Sequence, residues 1–480
     1  MTEAGYEAVI GLEVHAQLLT KSKLFCADST TFGSDPNTQV SAVSLAHPGT
    51  LPKLNKEAIA LAIRLGVALN CEIVQHNYFA RKNYFYPDLP KGYQISQHTA
   101  PICRGGYLEI SVEGQLKKVR LNRIHIEEDA GKSIHDQNEH HSNIDFNRAG
   151  VPLVEIVTEP DLRSADEAYM YVSELRKLVK HLGVCDGNMQ EGSFRCDVNI
   201  SVRRKGDEQL GTKVEVKNLN SLRFIKKAIE TETERLIELH KNKQLILQQT
   251  RGFDENTFTT YPIRTKEDED DYRYFPEPDL PPFVISDDWL TSIKKSLPAT
   301  PQQIKTQLSS EYKLSEQDAE VIANDIELTN FFIALSQFCN NSKAAGNWIV
   351  GPVRSAFKEN EEGIQVNPED IAQLIQLVDE GKINYGTAVN KVWPQLINKP
   401  QTDEAEYIKQ NDLYLQSSSD DMNAWVKAAL DKHAVKIQEY KKGKKGLLSL
   451  FVGEAMKLSK GRADAKRITE AIENKIKNEY

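Results

Sequence analysis

The chain reads as an α+β protein, with an N-terminal region built on an antiparallel sheet, an all-α domain after it and a small all-α tail. Three observations predict this. The first ~290 residues are rich in short stretches that alternate apolar with polar, as half-buried strands do. From about Trp289 the texture changes to capped helices. A polar run, LYLQSSSDD from Leu413 to Asp421, then reads as a linker before a last group of short helices. The expected domains are 1–292, 293–412 and 413–480, in keeping with the prior of roughly 150 residues per domain for a chain of 480.

Taken in order, GLEVHAQL alternates, so Glu13 and His15 share one face and Leu12 and Val14 the other. FGSDPNTQVSAVSLAHPGTLPKLN is turn-rich. Asn55 caps KEAIALAIRLGVALN, whose apolar residues recur at helical spacing. RKNYFYPDLPKGYQISQ is basic and aromatic together. RIHIEEDAGKS crowds His125, Glu127, Glu128 and Asp129 into five positions. Glu155 sits inside VPLVEIVT, an apolar, β-branched run that reads as a buried strand. A lone carboxylate there costs several kcal/mol, roughly, unless a cation, donors or a proton compensate it. Glu155 therefore reads two ways: as a functional carboxylate, or as one paired with an arginine or turned to water.

SADEAYMYVSELRKLVKHLGV is a helix capped by Ser164 and stopped by Gly183. EGSFRCDVNISVR puts Arg195, Asp197 and Asn199 on one face, and KVEVKNLNS does the same with Lys213, Glu215 and Lys217. A solvated sheet face is usually a mixture of Thr, Ser, Lys and Gln. Three strands carrying Glu-His, Arg-Asp-Asn and Lys-Glu-Lys point instead to a charged concave surface. The acidic run KEDEDD precedes DYRYFPEPDL, whose aromatics and prolines suggest a loop that docks. Thr300-Pro301, Ser315 and Asn367-Pro368 open the later helices, which hold no catalytic-looking cluster and read as a spacer.

No apolar run approaches the ~18 residues of a membrane span, and MTEAGYEAVIGLEV lacks the pattern of a signal peptide. The six cysteines are scattered, without metal-knuckle spacing, which fits a reducing, cytoplasmic setting. Net charge is −9, yet Trp425 to Tyr480 holds 12 Lys and 2 Arg against 7 acidic residues, a local +7 that leaves −16 elsewhere. The lysine cluster KKGKKG, Lys441 to Gly446, suits phosphate backbones or serves as a solubilising turn. Read on residues alone, the carboxylate-histidine cluster suggests a metal-dependent phosphohydrolase, and the basic tail on an acidic body suggests a non-catalytic tRNA-binding scaffold.

These stretches resemble one family, the B subunits of the aspartyl/glutamyl-tRNA amidotransferases. GLEVHAQL, HPGTLPKLN, RKNYFYPDLPKGYQISQ, RIHIEEDAGKS, NRAGVPLVEIVTEPD, EGSFRCDVNIS, VEVKNLNS and DYRYFPEPDL follow its signatures in its order, and GLLSLFVGEAMKLSKGRAD is similar to its YqeY-like domain. The resemblance implies a kinase-like cradle, a helical domain and a tail that contacts tRNA. It implies a heterotrimer, in which two further proteins join this one: a glutamine-hydrolysing amidase and a small third component. In that complex, misacylated Glu-tRNA(Gln) or Asp-tRNA(Asn) is phosphorylated by ATP and amidated by ammonia channelled from the amidase. It implies Mg²⁺ on Glu13, His15, Glu128 and Glu155, with Glu127 a second candidate, because alternation puts Glu127 and Glu128 on opposite faces. Glu155 and Lys82 are the expected catalytic residues, the family's matching lysine lying near the tunnel exit. Arg195, Lys217 and Arg273 are expected at phosphate or the acceptor end. Tyr84 and Tyr86 either stack on the terminal adenosine or fill the core. No GxxxxGK[ST] loop is present to dock ATP.

Two departures stand out. Many relatives have a CxC…CxxC zinc knuckle after the first strand, whereas here Cys26 remains but Asp28, Ser41 and Ser44 occupy the other positions. Serine is a poor zinc ligand, so no structural zinc is expected and the loop should be held by its own turns. In the tail, GRADAKR replaces the family's Ala-Asn-Pro turn.

Overall fold

A computed structural model of the chain describes residues 5–134, 141–265, 272–359, 364, 366–399, 404–415, 419–459 and 463–479. The acidic run 266–271 and the centre of the expected linker, 416–418, lie outside them. The chain divides into two compact units, Met1–Ala299 and Thr300–Tyr480.

The first unit is organised by a sheet of ten strands among the described residues. They are β1 (Tyr6–Gln17), β2 (Glu72–Ile73), β3 (Cys103–Arg104), β4 (Tyr107–Val112), β5 (Gln115–Glu128), β6 (Pro152–Thr158), β7 (Phe194–Arg204), β8 (Val214–Leu219), β9 (Gln249–Asp254) and β10 (Thr259–Thr265). The order is β10-β9-β8-β7-β1-β6-β5-β3-β2, with β4 hairpinned onto β5. β1 is the centre: it pairs antiparallel with β7 over eleven residues and with β6 over five.

The sheet is mixed, where the sequence suggested a purely antiparallel one. β8 and β9 run parallel, because the helix Leu222–Lys241 lies between them and carries the chain back across the sheet, as a parallel pair requires.

Three helices cover the apolar face: α1 (Lys56–Ala68), α2 (Ala165–His181) and α3 (Leu222–Lys241). Each starts where its cap predicts. The Asn55 side chain accepts from the Glu57 amide, Ser164 from Glu167 and Ser221 from Phe224, each cap worth ~1 kcal/mol. Their buried stripes, such as Ile59, Ile63, Tyr171, Leu175, Ile225 and Ile229, meet Ile10, Leu12, Val14, Ile156, Val198 and Ile200 of the sheet in one core. Every such side chain contributes roughly 1.5–3 kcal/mol on burial. With one face sealed by helices, the opposite face of β1, β5, β6, β7 and β8 is left to display its polar side chains. Helix Asp287–Lys295 packs Ile293, Trp289 and Leu290 onto this same core. The first unit therefore extends to Ala299, beyond the expected boundary at 292.

The second unit is helical among its described residues and holds two separate apolar cores. One spans Ile304 to Leu413 and the other Val426 to Ile476. The capping box at Thr300 and Gln303 and the caps at Ser315 and Asn367 are formed as read. NAWVKAALDKHAVKIQEY, read as one helix, breaks at His433 into Ser419–Lys432 and Ala434–Lys441.

Candidate active site

Antiparallel pairing lines up a row of ionisable groups across four strands. Arg195 of β7 lies opposite His15 of β1, His15 opposite Glu155 of β6, and Glu155 opposite His125 of β5. Directly opposed residues share a face, so the row projects into one cleft of about 580 Å³. Glu127, two residues on from His125, joins it. His15 Nε2 is 3.4 Å from Glu155 Oε2 and 3.9 Å from Glu127 Oε1. His125 Nε2 is 3.2 Å from Glu155 Oε2 and 3.5 Å from Glu127 Oε2.

The charges are mutually dependent. Burial alone would push His125 down, but Glu155 and Glu127 hold it up, at about 9. Burial likewise opposes the His15 cation, and the hydrogen bond and charge of Glu155 prevail to raise it. Burial would raise Glu155 and Glu127, yet the imidazoles keep both below the ordinary carboxylate value, Glu155 well below. The two carboxylates therefore demand about two positive charges close by.

One divalent ion meets that demand as well as two imidazolium protons do. One ligand atom from each of His15, Glu127 and Glu155 lies within 4.8 Å of the others. Two carboxylates and an imidazole suit a hard or borderline divalent cation. The buried Nδ1 of His125 has no hydrogen-bond partner. An unmet N–H there costs ~1–3 kcal/mol, which weighs against double protonation as the standing arrangement. The donor set fits a metal.

Around this cluster stand the other expected residues. Glu13 lines the cleft one row along β1, its carboxylate accepting from Asn199 Nδ2 at 2.8 Å, so it borders the cluster without belonging to it. Lys82 enters from a separate small sheet, on strand Ala80–Asn83. Its Nζ is 4.7 Å from the Tyr272 ring centroid and 5.8 Å from that of Tyr84. Burial opposes its charge, but Glu127, Tyr274 and Glu155 more than restore it. Arg195 donates to Asp129 at 3.0 Å, and Lys217 to Asp197 at 3.0 Å. Asp129 is buried and also accepts from Gln17 at 2.8 Å. A second cleft of about 590 Å³, edged by Lys132 and Arg148, meets the first at Arg195 and Asp197.

Two expectations are corrected by the geometry. Glu128 is not brought to the cluster. It turns to the opposite face of β5, where it bonds Lys91 Nζ at 2.7 Å and accepts the Ile95 amide at 2.8 Å. Glu127 takes the place expected for it. Arg273 is also absent from the cleft lining; it is exposed, with φ 44°, while its neighbours Tyr272 and Tyr274 face inward. Tyr84 is half-buried in the cleft wall and Tyr86 exposed, so neither fills the core. His125 and Asp129 were not among the expected ligands or contacts. The i, i+2 spacing of His125 and Glu127 was the available signal.

The four knuckle positions do come together, held by hydrogen bonds. Ser44 Oγ donates to Asp28 at 2.6 Å, and the Ser41 amide donates to Ser44 Oγ at 2.9 Å. Burial opposes the Asp28 charge, and bonds from Ser44 and Cys26 outweigh it and keep it low; burial pushes the Cys26 thiol up to about 11. A high thiol value and two hydroxyls make a poor zinc donor set. Ser44→Ala is expected to cost the chain about 1–3 kcal/mol in urea unfolding, by stranding Asp28. A zinc-selective chelator is expected to leave the unsubstituted chain unchanged in the same measurement.

Comparison with known proteins places this site. The family model described as the GatB/GatE catalytic domain matches residues 8–291, and the one described as the GatB domain matches residues 330–476. The chain belongs to the family of aspartyl/glutamyl-tRNA amidotransferase B subunits. It is 46% identical to the B subunit of the aspartyl/glutamyl-tRNA(Asn/Gln) amidotransferase from Thermodesulfovibrio yellowstonii, over 97% of this chain and 98% of that one. The proteins of the same name from Trichlorobacter lovleyi and Persephonella marina are 45% and 44% identical, each over 98% of this chain and 99% and 100% of theirs. Membership places the chain among amidotransferases, ligases that form C–N bonds. Among the described residues no helix is long and apolar enough to cross a membrane, and the cleft of the first unit falls wholly within the matched catalytic domain.

Proposed function

We propose that this chain activates and amidates the side-chain carboxylate of glutamate or aspartate esterified to tRNA. The observation that carries the reading is the cluster of His15, Glu127 and Glu155 on one sheet face, ringed by Lys82, Arg195 and Lys217. A carboxylate is a poor electrophile. Its oxygen attacks the γ-phosphorus of ATP, ADP departs, and the acyl phosphate gains a leaving group. Ammonia then attacks the acyl carbon, inorganic phosphate leaves, and the nitrogen loses a proton to give the amide.

Phosphoryl transfer asks the protein mainly for alignment and charge. Arg195 and Lys217, each held by a carboxylate, are positioned to meet phosphate oxygens at the edge of the cleft. Lys82 faces Glu127 and Glu155 from the other wall, where its charge holds the substrate carboxylate or its phosphorylated form. Mg²⁺ would be held by His15, Glu127 and Glu155, and supplies neutralisation of the phosphate oxygens. The family's amidase and its small third component are the partners this reaction needs, because the described residues of this chain hold no evident means of releasing ammonia. The lysine cluster 441–445 on the tail supplies a contact for tRNA phosphates.

The test is to assemble the chain with the amidase and the third component and supply glutamine and misacylated tRNA. Gln-tRNA or Asn-tRNA is expected only when Mg-ATP is present, with one ADP formed per amide. Turnover of a simple phosphate ester by the chain alone, without partners, would instead mark a free-standing phosphohydrolase. Binding of tRNA without any nucleotide-dependent step would mark a scaffold.

A further inference from the structure

Segment 272–279 is strapped across the strand that carries Lys82. Phe275 pairs with Arg81, and the Glu277 amide donates to the Phe79 carbonyl at 2.8 Å. Asn83 Nδ2 donates to the Arg273 carbonyl at 2.9 Å and to that of Tyr272 at 3.3 Å. Neighbouring strand residues face opposite ways, so Lys82 reaches the cleft while Arg81 reaches behind it. There Arg81 Nε and Nη2 meet both oxygens of Glu277 at 2.7 and 2.9 Å, and Nη2 meets Asp279 at 2.9 Å. Glu277 is 3% exposed, and the guanidinium lies 4.2 Å from the Tyr93 ring centroid. This fork geometry fixes an orientation that a point charge would not.

On the cleft side, the strap supplies Tyr272 and Tyr274. Tyr272 is edge-on to Tyr84 at 6.1 Å and to Tyr274 at 6.1 Å, and Tyr274 stacks on His98 at 4.1 Å. Together with the Lys82 ammonium they form a continuous aromatic and cationic wall beside the carboxylate cluster. Aromatic faces accept any base by stacking. Two adenosines are in play, and distance separates them. An amino acid esterified to the terminal ribose keeps its carboxylate within one side chain of that adenosine. The adenine of ATP stands off from its γ-phosphorus by a ribose and a triphosphate.

We propose that Arg81 and Glu277 are positioning residues, whose ion pair holds Tyr272 and Tyr274 beside Lys82 to form the surface that takes the esterified adenosine of the aminoacyl-tRNA. This rests on the function proposed above. Arg81 touches no reacting atom; it acts through the strap. The left-handed backbone at Arg273, φ 44°, is unfavourable for a non-glycine residue and is held by the contacts on either side of it.

The experiment uses the assembled enzyme with full-length chain carrying Glu277→Gln, Arg81→Lys or Asp279→Asn. KM and kcat are measured separately for misacylated tRNA and for ATP, alongside Tm. Glu277→Gln is expected to raise KM for the aminoacyl-tRNA by about tenfold or more, with kcat within about threefold and KM for ATP within about twofold. Arg81→Lys, which keeps the charge but loses the fork, is expected to fall between Glu277→Gln and the parent. Asp279 has a side chain 39% exposed, so Asp279→Asn leaves folding intact and is expected to give a smaller rise in the same direction. Filter binding of misacylated tRNA to the full chain should show the same order without turnover. Unchanged KM and binding for aminoacyl-tRNA in these variants, or an equal rise in KM for ATP, overturns the proposal. A parent enzyme that binds the misacylated tRNA but never amidates it would count against the proposed function and leave the binding order to decide this one.

Discussion

Glu155→Ala is expected to lower ATP-dependent amidation by about 10³-fold or more while glutamine hydrolysis by the partner amidase continues. At 1.36 kcal/mol per decade this is ~4 kcal/mol of barrier. Glu155 is the one side chain that touches both histidines, at 3.4 and 3.2 Å, and it sits on the central row of the sheet. Its removal takes away half the negative charge of the cluster and one of three atoms able to hold a divalent ion. The fold should survive. Without Glu155, burial dominates at His15 and His125, and both rings shed their protons instead of remaining as uncompensated buried cations. Glu155→Gln, which keeps the volume, should lose activity to a similar degree with still less effect on Tm. ADP formation and amide formation on misacylated tRNA are the readouts. Amidation within about tenfold of the parent in either variant would remove Glu155 from the reaction centre.

Much of this site was legible before the structure because strand alternation is a strict rule. GLEVHAQL put Glu13 and His15 on one face, EGSFRCDVNIS did the same for Arg195 and Asp197, and all four line the cleft. Helix caps at Asn55, Ser164 and Thr300 were equally direct, since a cap is a local bond between near neighbours. What alternation cannot supply is strand order. That β6 lies between β1 and β5, so that Glu155 meets His15 on one side and His125 on the other, depends on pairings far apart in sequence. The parallel β8–β9 pair escaped for the same reason. Arg273 escaped because a left-handed residue breaks the alternation that would have aimed it, and its tyrosine neighbours took the inward positions. Lys82 was placed by resemblance; only the small sheet of Ala80–Asn83, Tyr93–Ser96 and Phe275–Pro276 shows how it reaches the cluster.

Glu127 and Glu128 make the sharpest test of that gap between local and global information. The last five residues of β5 are buried on both faces, so no hydropathy contrast says which carboxylate belongs to the site. Only the row containing His125 decides it, and it selects Glu127, two residues along the same face. Glu127→Gln is therefore expected to lower kcat for amidation by about 10²-fold or more, a loss of a charged group from the cluster, with little change in unfolding free energy. Glu128→Gln is expected to show the opposite balance. Glu128 is 2% exposed, and its carboxylate neutralises Lys91 while capping the Ile95 amide. Breaking a buried ion pair from one side leaves the other charge stranded and costs about 3 kcal/mol. Its catalytic effect should be smaller than that of Glu127→Gln, arriving only through the backbone of Tyr93–Ser96, which pairs with the Lys82 strand. The two single variants, measured side by side by urea unfolding and by steady-state amidation, separate the roles. A catalytic loss confined to Glu128→Gln, with Glu127→Gln active, would return the metal site to the other face of the strand and undo the cluster described here.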